Sequence, residues 1–374
     1  MKLLVTGASG FIGQNLVCRL LADGHSVRAV YRRAIVPPAF VDAEKAHPGR
    51  LELVRMDLDF PASMPDLRSP AFRSWCKAAK TGIPQTVPEY PIMGEDLRRI
   101  RELCAGMDGI FHSAARVGDW GSLQEFFASN VNPTRLLLEA AAQAGLSRFV
   151  LVISISVHGF GHNRRAREDD PFHPAGHPYQ LSKRLAESLA RQYVDRGLDV
   201  RVVRPGNVYG PGDTTTFYPL FEAMVGGANG TVGGGKSLTC PVFIDDLVDG
   251  IIRAWRVDTP AVRTVNLSSG ESITWKRLFA LASDALGLPR GWLNLPAWLA
   301  WVLAAGGEGL FRLFRRKNRP PFTFYTVAQL LHDYSFSTAT AHETLGWQPA
   351  TLAETGIPLT VEAWKRDRVR ASRI

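Results

Sequence analysis

A tyrosine and a lysine stand four residues apart in the run YQLSK, as Tyr179 and Lys183, and share one face if that run is helical. A lysine cation beside a phenol favours the phenolate and draws its pKa down from about 10. Such a tyrosine can give a proton to a carbonyl oxygen or take one from an alcohol. Ser154 stands 25 residues earlier, at the end of an apolar run. From there its hydroxyl can bond a substrate oxygen where negative charge develops. A YxxxK pair by itself occurs on many solvated helices. It gains meaning from what accompanies it.

The accompaniment is a glycine-rich turn, Thr6-Gly7-Ala8-Ser9-Gly10-Phe11-Ile12-Gly13, between an apolar strand-like run and a helix-like one. Glycines permit the tight turn, the close approach of backbone to a pyrophosphate and the packing of helix on sheet. The helix start adds unpaired N–H groups that suit phosphate. Gly7, Ser9, Gly10, Phe11, Ile12 and Gly13 are therefore candidate cofactor-binding residues. The next expected strand ends in Val30-Tyr31-Arg32-Arg33. An NAD-specific site places an acid there for the ribose 2′-hydroxyl, whereas arginines can grip a 2′-phosphate through paired hydrogen bonds. The reading favours NADP(H) over NAD(H), against the plainer alternative that Arg32 and Arg33 are surface charges. Asp57, with Leu58 beside it, follows the third strand and is assigned to the adenine amino group. Lys183 is also assigned to the nicotinamide ribose.

Residues with these duties need strand ends and helix starts to hold them. Lys2–Thr6 reads as a buried strand, Phe11–Ala22 as a helix stopped at Gly24, and Val27–Tyr31 and Leu51–Arg55 as strands. Leu97–Cys104 reads as a short helix, Gly109–His112 as a strand and Leu123–Ala144 as one long helix ended by Gly145. Phe149–Ile153 is the strand that delivers Ser154, Tyr179–Arg196 a helix ended by Gly197, and Val200–Val203 a further strand. This alternation predicts right-handed crossovers and a parallel sheet covered on both faces. The predicted fold class is α/β, a Rossmann-type doubly wound sheet over residues 1–212. A smaller C-terminal substrate lobe is predicted over 213–374, with the chain crossing back to the sheet. Residues 60–94 carry six prolines, Pro61, Pro65, Pro70, Pro84, Pro88 and Pro91, and read as an insertion or long loop.

Composition narrows the classes. The chain has 374 residues, 45% hydrophobic and 21% charged, enough for a sizeable core. Four dispersed cysteines, Cys18, Cys76, Cys104 and Cys240, form no CxxC pair and read as reduced thiols of a cytosolic protein, without a metal site. The net charge of +9 is concentrated in two late segments, Arg312 to Arg319 and Lys365 to Arg373. That is local enrichment, so nucleic acid is not an expected partner. The segments read either as solvated charge or as a membrane-surface contact. No run approaches the ~20 apolar residues of an ordinary membrane-spanning helix.

With the glycine turn, the serine and the tyrosine–lysine pair in this order, the sequence resembles the extended short-chain dehydrogenases. FHSAARVGDW is similar to the segment that borders the cofactor in that family, which implies contacts from Ala114 and Ala115. Asn130-Val131-Asn132-Pro133-Thr134 resembles another family segment, SISVHG carries the catalytic serine, and FIDDLVDG matches a later one. RPGNVYGPGD resembles the loop beside the nicotinamide and implies roles for Pro205 and Val208. The resemblance covers nearly the whole chain apart from the proline-rich stretch.

Branches of that family differ in chemistry. Dehydratases add an acidic pair after the serine, where this chain has Ile155-Ser156. Sugar-nucleotide epimerases commonly place an arginine where this chain has Thr239, with only Lys236 nearby as a point charge. Asn207 points the other way, because the matching asparagine of sugar enzymes serves the substrate. HSAARVGDWG resembles a run of the 3β-hydroxysteroid dehydrogenase-like branch, including 2-alkyl-3-oxoalkanoate reductases, which implies substrate contacts from Val117 and Trp120. The apolar run Trp292–Ala305 and the following Phe311, Leu313 and Phe314 suit an interfacial helix or a lid, against the plainer reading of a helix packed in the small lobe. The expected activity is interconversion of a secondary alcohol and a ketone on a hydrophobic, sterol-like or long-chain 3-oxo substrate. The alternatives are a sugar-nucleotide epimerase and a non-catalytic cofactor-binding regulator. Peripheral membrane contact through about 292–319 and a homodimer are the expected associations.

Overall fold

The computed structural model describes residues 1–258, 263–291, 293–314, 316 and 318–371. Trp292, Arg315, Lys317 and Arg373, on which the sequence reading draws, lie outside the described residues. The chain divides into two compact units. One comprises residues 1–159, 171–204 and 248–265, the other 160–170, 205–247 and 266–374.

The central sheet is seven-stranded and parallel: β1 (Lys2–Thr6), β2 (Ser26–Tyr31), β3 (Leu51–Arg55), β4 (Gly109–His112), β5 (Arg148–Val152), β6 (Val200–Pro205) and β7 (Thr264–Leu267). Their spatial order is β7-β6-β5-β4-β1-β2-β3, so the order reverses between β1 and β4. In doubly wound folds that switch point is where a ligand crevice opens at the strand C-termini. The strand sequences follow from position. Leu3, Leu4 and Val5 of β1 are buried, as a strand flanked by β2 and β4 and covered on both faces requires. Edge strand β3 pairs only with β2 and is largely open.

The helices that matter for the site are α1 (Phe11–Ala22), α2 (Pro38–Ala46), α3 (Pro70–Ala79), α4 (Gly94–Cys104), α5 (Leu123–Phe126), α6 (Asn132–Gln143) and α7 (Pro178–Asp195). Three depart from expectation. The one long helix expected over Leu123–Ala144 is divided by a π turn at Phe127–Val131. Pro133 explains the break, because it lacks an N–H for the preceding ladder and its ring crowds the carbonyl four residues back. The proline-rich stretch is not loop throughout. It holds a 3-10 turn at Pro61–Ser63 and the ten-residue α3, with Pro70 at the helix start, where a missing N–H costs nothing, and Ser69 as cap. Phe72, Trp75 and Ala79 of α3 join the main core with Phe127, Leu185 and Leu189. Helix α2, with Pro37 at its N-cap and Pro38 as its first residue, was hidden in the sequence by that proline pair.

The second unit is built of short parallel pairs, Asn163–Ala166 with Tyr334–Phe336, Asn207–Tyr209 with Pro241–Phe243, and Gly230–Val232 with Leu293–Leu295. An antiparallel pair joins Leu238–Thr239 to Ile273–Thr274. The apolar run beginning at 292 enters the Leu293–Leu295 strand and then helix α8 (Ala297–Leu313). One side of α8 packs Ala300 and Ala304 against Val232 and Val327.

Candidate active site

The glycine turn sits where the strand order reverses. Gly7 has a φ of +69°, and a Cβ there would come within 2.6 Å of the Ala114 backbone. A Cβ on Gly13 would collide with the Gly7 carbonyl. Gly10 stands at the start of α1 with no side-chain cap and no acid in the first turn. The helix therefore presents uncapped N–H groups and a positive dipole end, a fitting cradle for a pyrophosphate. Ser9, Phe11 and Ile12 are half-buried around this turn, with Gly10 open. Ala114 and Ala115 are half-buried beyond the end of β4, and the Ala114 backbone lies against Gly7 of the glycine turn.

At the ends of β2 and β3, Arg32 and Asp57 are open side chains in a loose ion pair at 3.9 Å. Asp57 also accepts from the Asp59 N–H at 3.2 Å, and Leu58 beside it is buried. Arg33 is exposed. This strand end thus carries two exposed arginines together with the Asp57 carboxylate.

Ser154 caps the 3-10 turn Ile155–His158 that leaves β5, accepting from the Ser156 N–H at 3.1 Å. Tyr179 lies in the first turn of α7 and Lys183 one turn on, both buried. The structure brings the three expected residues together. The Ser154 hydroxyl hydrogen-bonds the Tyr179 phenol, and the Lys183 ammonium lies 5.8 Å from the centre of the Tyr179 ring. Burial pushes the Tyr179 pKa above its ordinary value, while Ser154 and Ser156 draw it back. Burial brings Lys183 down to about 8. The phenol is thus held as a proton donor at neutral pH, beside a lysine that still carries its charge.

Ser156 is a residue that the sequence reading did not assign. Its hydroxyl is buried, has no well-formed hydrogen bond of its own, and faces the same phenol. The signal was present in Ile155-Ser156, read above only as the absence of an acidic pair.

A polar frame fixes these groups. Asn130, in the π turn, accepts from the Arg116 N–H at 2.7 Å and donates to Ser182 Oγ at 2.9 Å, tying the segment after β4 to α7. Thr134 Oγ1 donates to the Asn130 carbonyl, so it must accept from His112 Nε2, leaving Nδ1 to accept from Thr6 Oγ1 at 2.6 Å. Burial, then the Lys183 cation, push the His112 pKa down to about 3 and keep the ring neutral in that relay. His177 caps α7 by accepting from the Tyr179 N–H, and its other nitrogen then donates to the Asp119 carbonyl at 3.0 Å. Arg184, wholly buried, donates to the carbonyls of Val157, Ala79 and His173, joining the end of α3 to the turn after Ser154.

The expected substrate residues fall differently. Val117 is 67% exposed, beside Gly118, whose surroundings are open. Trp120 is half-buried beside the Asp119 carbonyl that His177 holds. Within the second unit, the Asn207 amide is committed at both ends. Its Nδ2 donates to Thr239 Oγ1 at 2.8 Å and its Oδ1 accepts from Gln329 at 3.1 Å. Thr239 is wholly buried, and Lys236 is exposed. Pro205 is buried at the end of β6 and Val208 half-buried in the following short strand.

A model of the NAD dependent epimerase/dehydratase family matches residues 3–268, over two thirds of the chain. The chain is 30% identical over 370 residues to a 3β-hydroxysteroid dehydrogenase/Δ5→4-isomerase of Mycobacterium tuberculosis, covering 93% of this chain and 86% of that one. It is 26% identical to the 2-alkyl-3-oxoalkanoate reductase of Stenotrophomonas maltophilia, over 96% of this chain and 97% of the other. The fold is shared with UDP-glucuronic acid 4-epimerase from Bacillus cereus in complex with NAD, at a TM-score of 0.69 and 20% identity, covering 98% and 99% of the two chains. The glycine cradle, the reversed strand order and these matches together make the chain a member of the NAD dependent epimerase/dehydratase family of extended short-chain dehydrogenases, an oxidoreductase-type enzyme.

Proposed function

We propose that this enzyme interconverts a secondary alcohol and a ketone on a hydrophobic, sterol-like or long-chain 3-oxo substrate, using NADP(H) in preference to NAD(H). The observation that carries the reading is the buried Tyr179 phenol, hydrogen-bonded by Ser154 with the Lys183 cation one turn along. In the reducing direction Tyr179 Oη gives its proton to the carbonyl oxygen, and Ser154 Oγ donates a hydrogen bond to that oxygen as charge develops on it. Lys183 favours the phenolate left behind. A nicotinamide dinucleotide held by the Gly7–Gly13 turn would supply the hydride that the carbonyl carbon takes up. Arg32 and Arg33 would hold the 2′-phosphate, with Asp57 on the adenine.

Substrate class is supported from two sides. By their names, the relatives above act on a 3β-hydroxysteroid and on a 2-alkyl-3-oxoalkanoate, which supports a hydrocarbon-rich substrate. Within the second unit, Thr239 replaces the arginine expected of diphosphate binders, and the Asn207 amide is already engaged by Thr239 and Gln329. A diphosphate desolvated without compensating donors is costly, whereas apolar carbon gains about 0.8 kcal/mol for each buried methylene. The epimerase reading retains the fold likeness. Competition binding with NADP(H) present separates the two. A long-chain 3-oxo compound or ketosteroid is expected to bind and a uridine diphosphate sugar not to compete. Micromolar sugar-nucleotide binding with no detectable lipid binding would reverse the assignment.

A further inference from the structure

Helix α8 is predominantly apolar, with Glu308 and Arg312 its only charges, yet only one side is covered. Ala300, Ala304 and Glu308 are its buried residues, at the spacing of one face. On the other side Trp298, Val302, Leu303, Leu310, Leu313 and Phe314 are exposed, Trp298 by 67% and Leu313 by 74%. Trp298, Val302, Gly309 and Leu313 fall at four-, seven- and four-residue intervals, which makes a single outward stripe along the helix. A contiguous exposed apolar patch of this kind marks a contact surface.

Charge identifies the contact. Between Leu293 and His332 the sequence holds one acid, Glu308, against five bases, Arg312, Arg315, Arg316, Lys317 and Arg319. Glu308 faces inward, accepting from the Phe324 N–H at 2.7 Å and from Arg312 at 2.6 Å. The outward stripe therefore carries no carboxylate, and the described Arg312, Arg316 and Arg319 stand exposed at and just beyond its C-terminal end. An apolar stripe with a tryptophan towards one end and a cluster of bases at the other matches the chemistry of an anionic bilayer surface, with the helix axis in the plane of the headgroups. No helix among the described residues is long and apolar enough to cross a membrane, so contact in the plane is the geometry left to this one.

We propose that α8 and the basic run after it dock the enzyme on anionic lipid bilayers, with Trp298, Val302, Leu310 and Leu313 immersed and Arg312, Arg316 and Arg319 on the headgroups. The test is co-sedimentation of the full chain with vesicles of phosphatidylcholine alone and of phosphatidylcholine with phosphatidylglycerol. Binding to the anionic vesicles should exceed binding to the neutral ones by about tenfold or more, and should weaken as salt rises. Trp298→Ser with Leu313→Ser should abolish binding while thermal unfolding stays unchanged, since both side chains are exposed. Arg316→Glu with Arg319→Glu should remove the anionic preference and leave the fold intact. Failure of the unmodified chain to bind anionic vesicles overturns the proposal, as does equal binding by both variants. So does a stable dimer in sedimentation velocity that the Trp298→Ser, Leu313→Ser variant converts to monomer, because the stripe would then belong to a second copy.

Discussion

Helix α7 carries five charged side chains, Lys183, Arg184, Glu187, Arg191 and Asp195, and buries 13 of its 18 residues. Helix α8 carries only Glu308 and Arg312 and buries 3 of its 17. Hydrophobicity alone would have placed them the other way round. On α7 each buried charge has a stated arrangement. Glu187 receives two bonds from Arg204, at 2.6 and 3.0 Å, and one from Arg191. Burial works to raise the Glu187 pKa, but the two guanidiniums overcome it and hold the carboxyl below its usual range. Arg184 is spent on three carbonyls. A helix so fixed holds Tyr179 and Lys183 in one geometry, and burial of those two sets their proton affinities. On α8 a single buried carboxylate, Glu308, tethers the inner side to the Phe324 N–H, and the outward side is apolar and exposed. Polar burial thus fixes the candidate catalytic groups on α7, while apolar exposure on α8 underlies the proposed lipid contact.

The sharpest way to break this contrast is Glu187→Gln. It leaves Arg204 buried with its charge uncompensated, and should cost ~3–5 kcal/mol in urea unfolding. A loss under 1 kcal/mol, on the order of an exposed ion pair, would mean that the pair is not closed off from water. Ser154→Ala should lower turnover by ~10²–10³, the scale for one donor to a developing oxyanion, with cofactor affinity unchanged. Replacing Arg32 and Arg33 together by Ala should weaken NADP(H) by ~1.5–3 kcal/mol while sparing NAD(H). Tighter binding of NAD(H) by the unmodified enzyme would end the case for the 2′-phosphate.

The pH profile tests burial of the lysine. Lys183 is protonated below about 8 and loses its charge as pH rises through that value, well before an ordinary lysine does. Tyr179, held above the ordinary phenol range, keeps its proton over that interval. Ketone reduction should therefore decline above about pH 8 through the lysine, and Lys183→Met should remove the inflection along with most of the rate. An unaltered rate up to the usual lysine range would contradict it. The smallest effect is expected on α8, where Leu313→Ser should change stability by no more than ~0.5 kcal/mol. The buried Leu185→Ala on α7 should cost ~2–5 kcal/mol. Equal costs would show that the outward side of α8 is covered in solution.

The sheet, the glycine turn and the proximity of Ser154, Tyr179 and Lys183 were legible because they rest on pattern along the chain. Apolar runs give strands, glycines give the turn at Gly7, and an i, i+4 pair needs only a helix. What escaped depends on partners distant in sequence. The π turn could have been suspected from Pro133 inside an expected helix, but its use, the grip of Asn130 on Arg116 and Ser182, spans 14 and 52 residues. Helix α3 was hidden because prolines mark breaks, and Pro70 happens to stand at the one helical position that tolerates it. Ser156 was seen only as a missing carboxylate. The apolar run after residue 292 was legible as composition, while its exposure followed only from the packing of one side of α8.

The central claim is that the buried phenol of Tyr179 transfers the proton in a nicotinamide-dependent reduction of an apolar ketone. Steady-state oxidation of NADPH at neutral pH, with a long-chain 3-oxo compound as substrate, compares the enzyme with Tyr179→Phe most directly. That substitution keeps the ring and its packing against Phe126 but removes the proton. The account predicts turnover by the unmodified enzyme and a loss of ~10²–10⁴ in the variant, with NADPH affinity retained. A variant that keeps most of its turnover would contradict the assignment of Tyr179, whatever substrate is used.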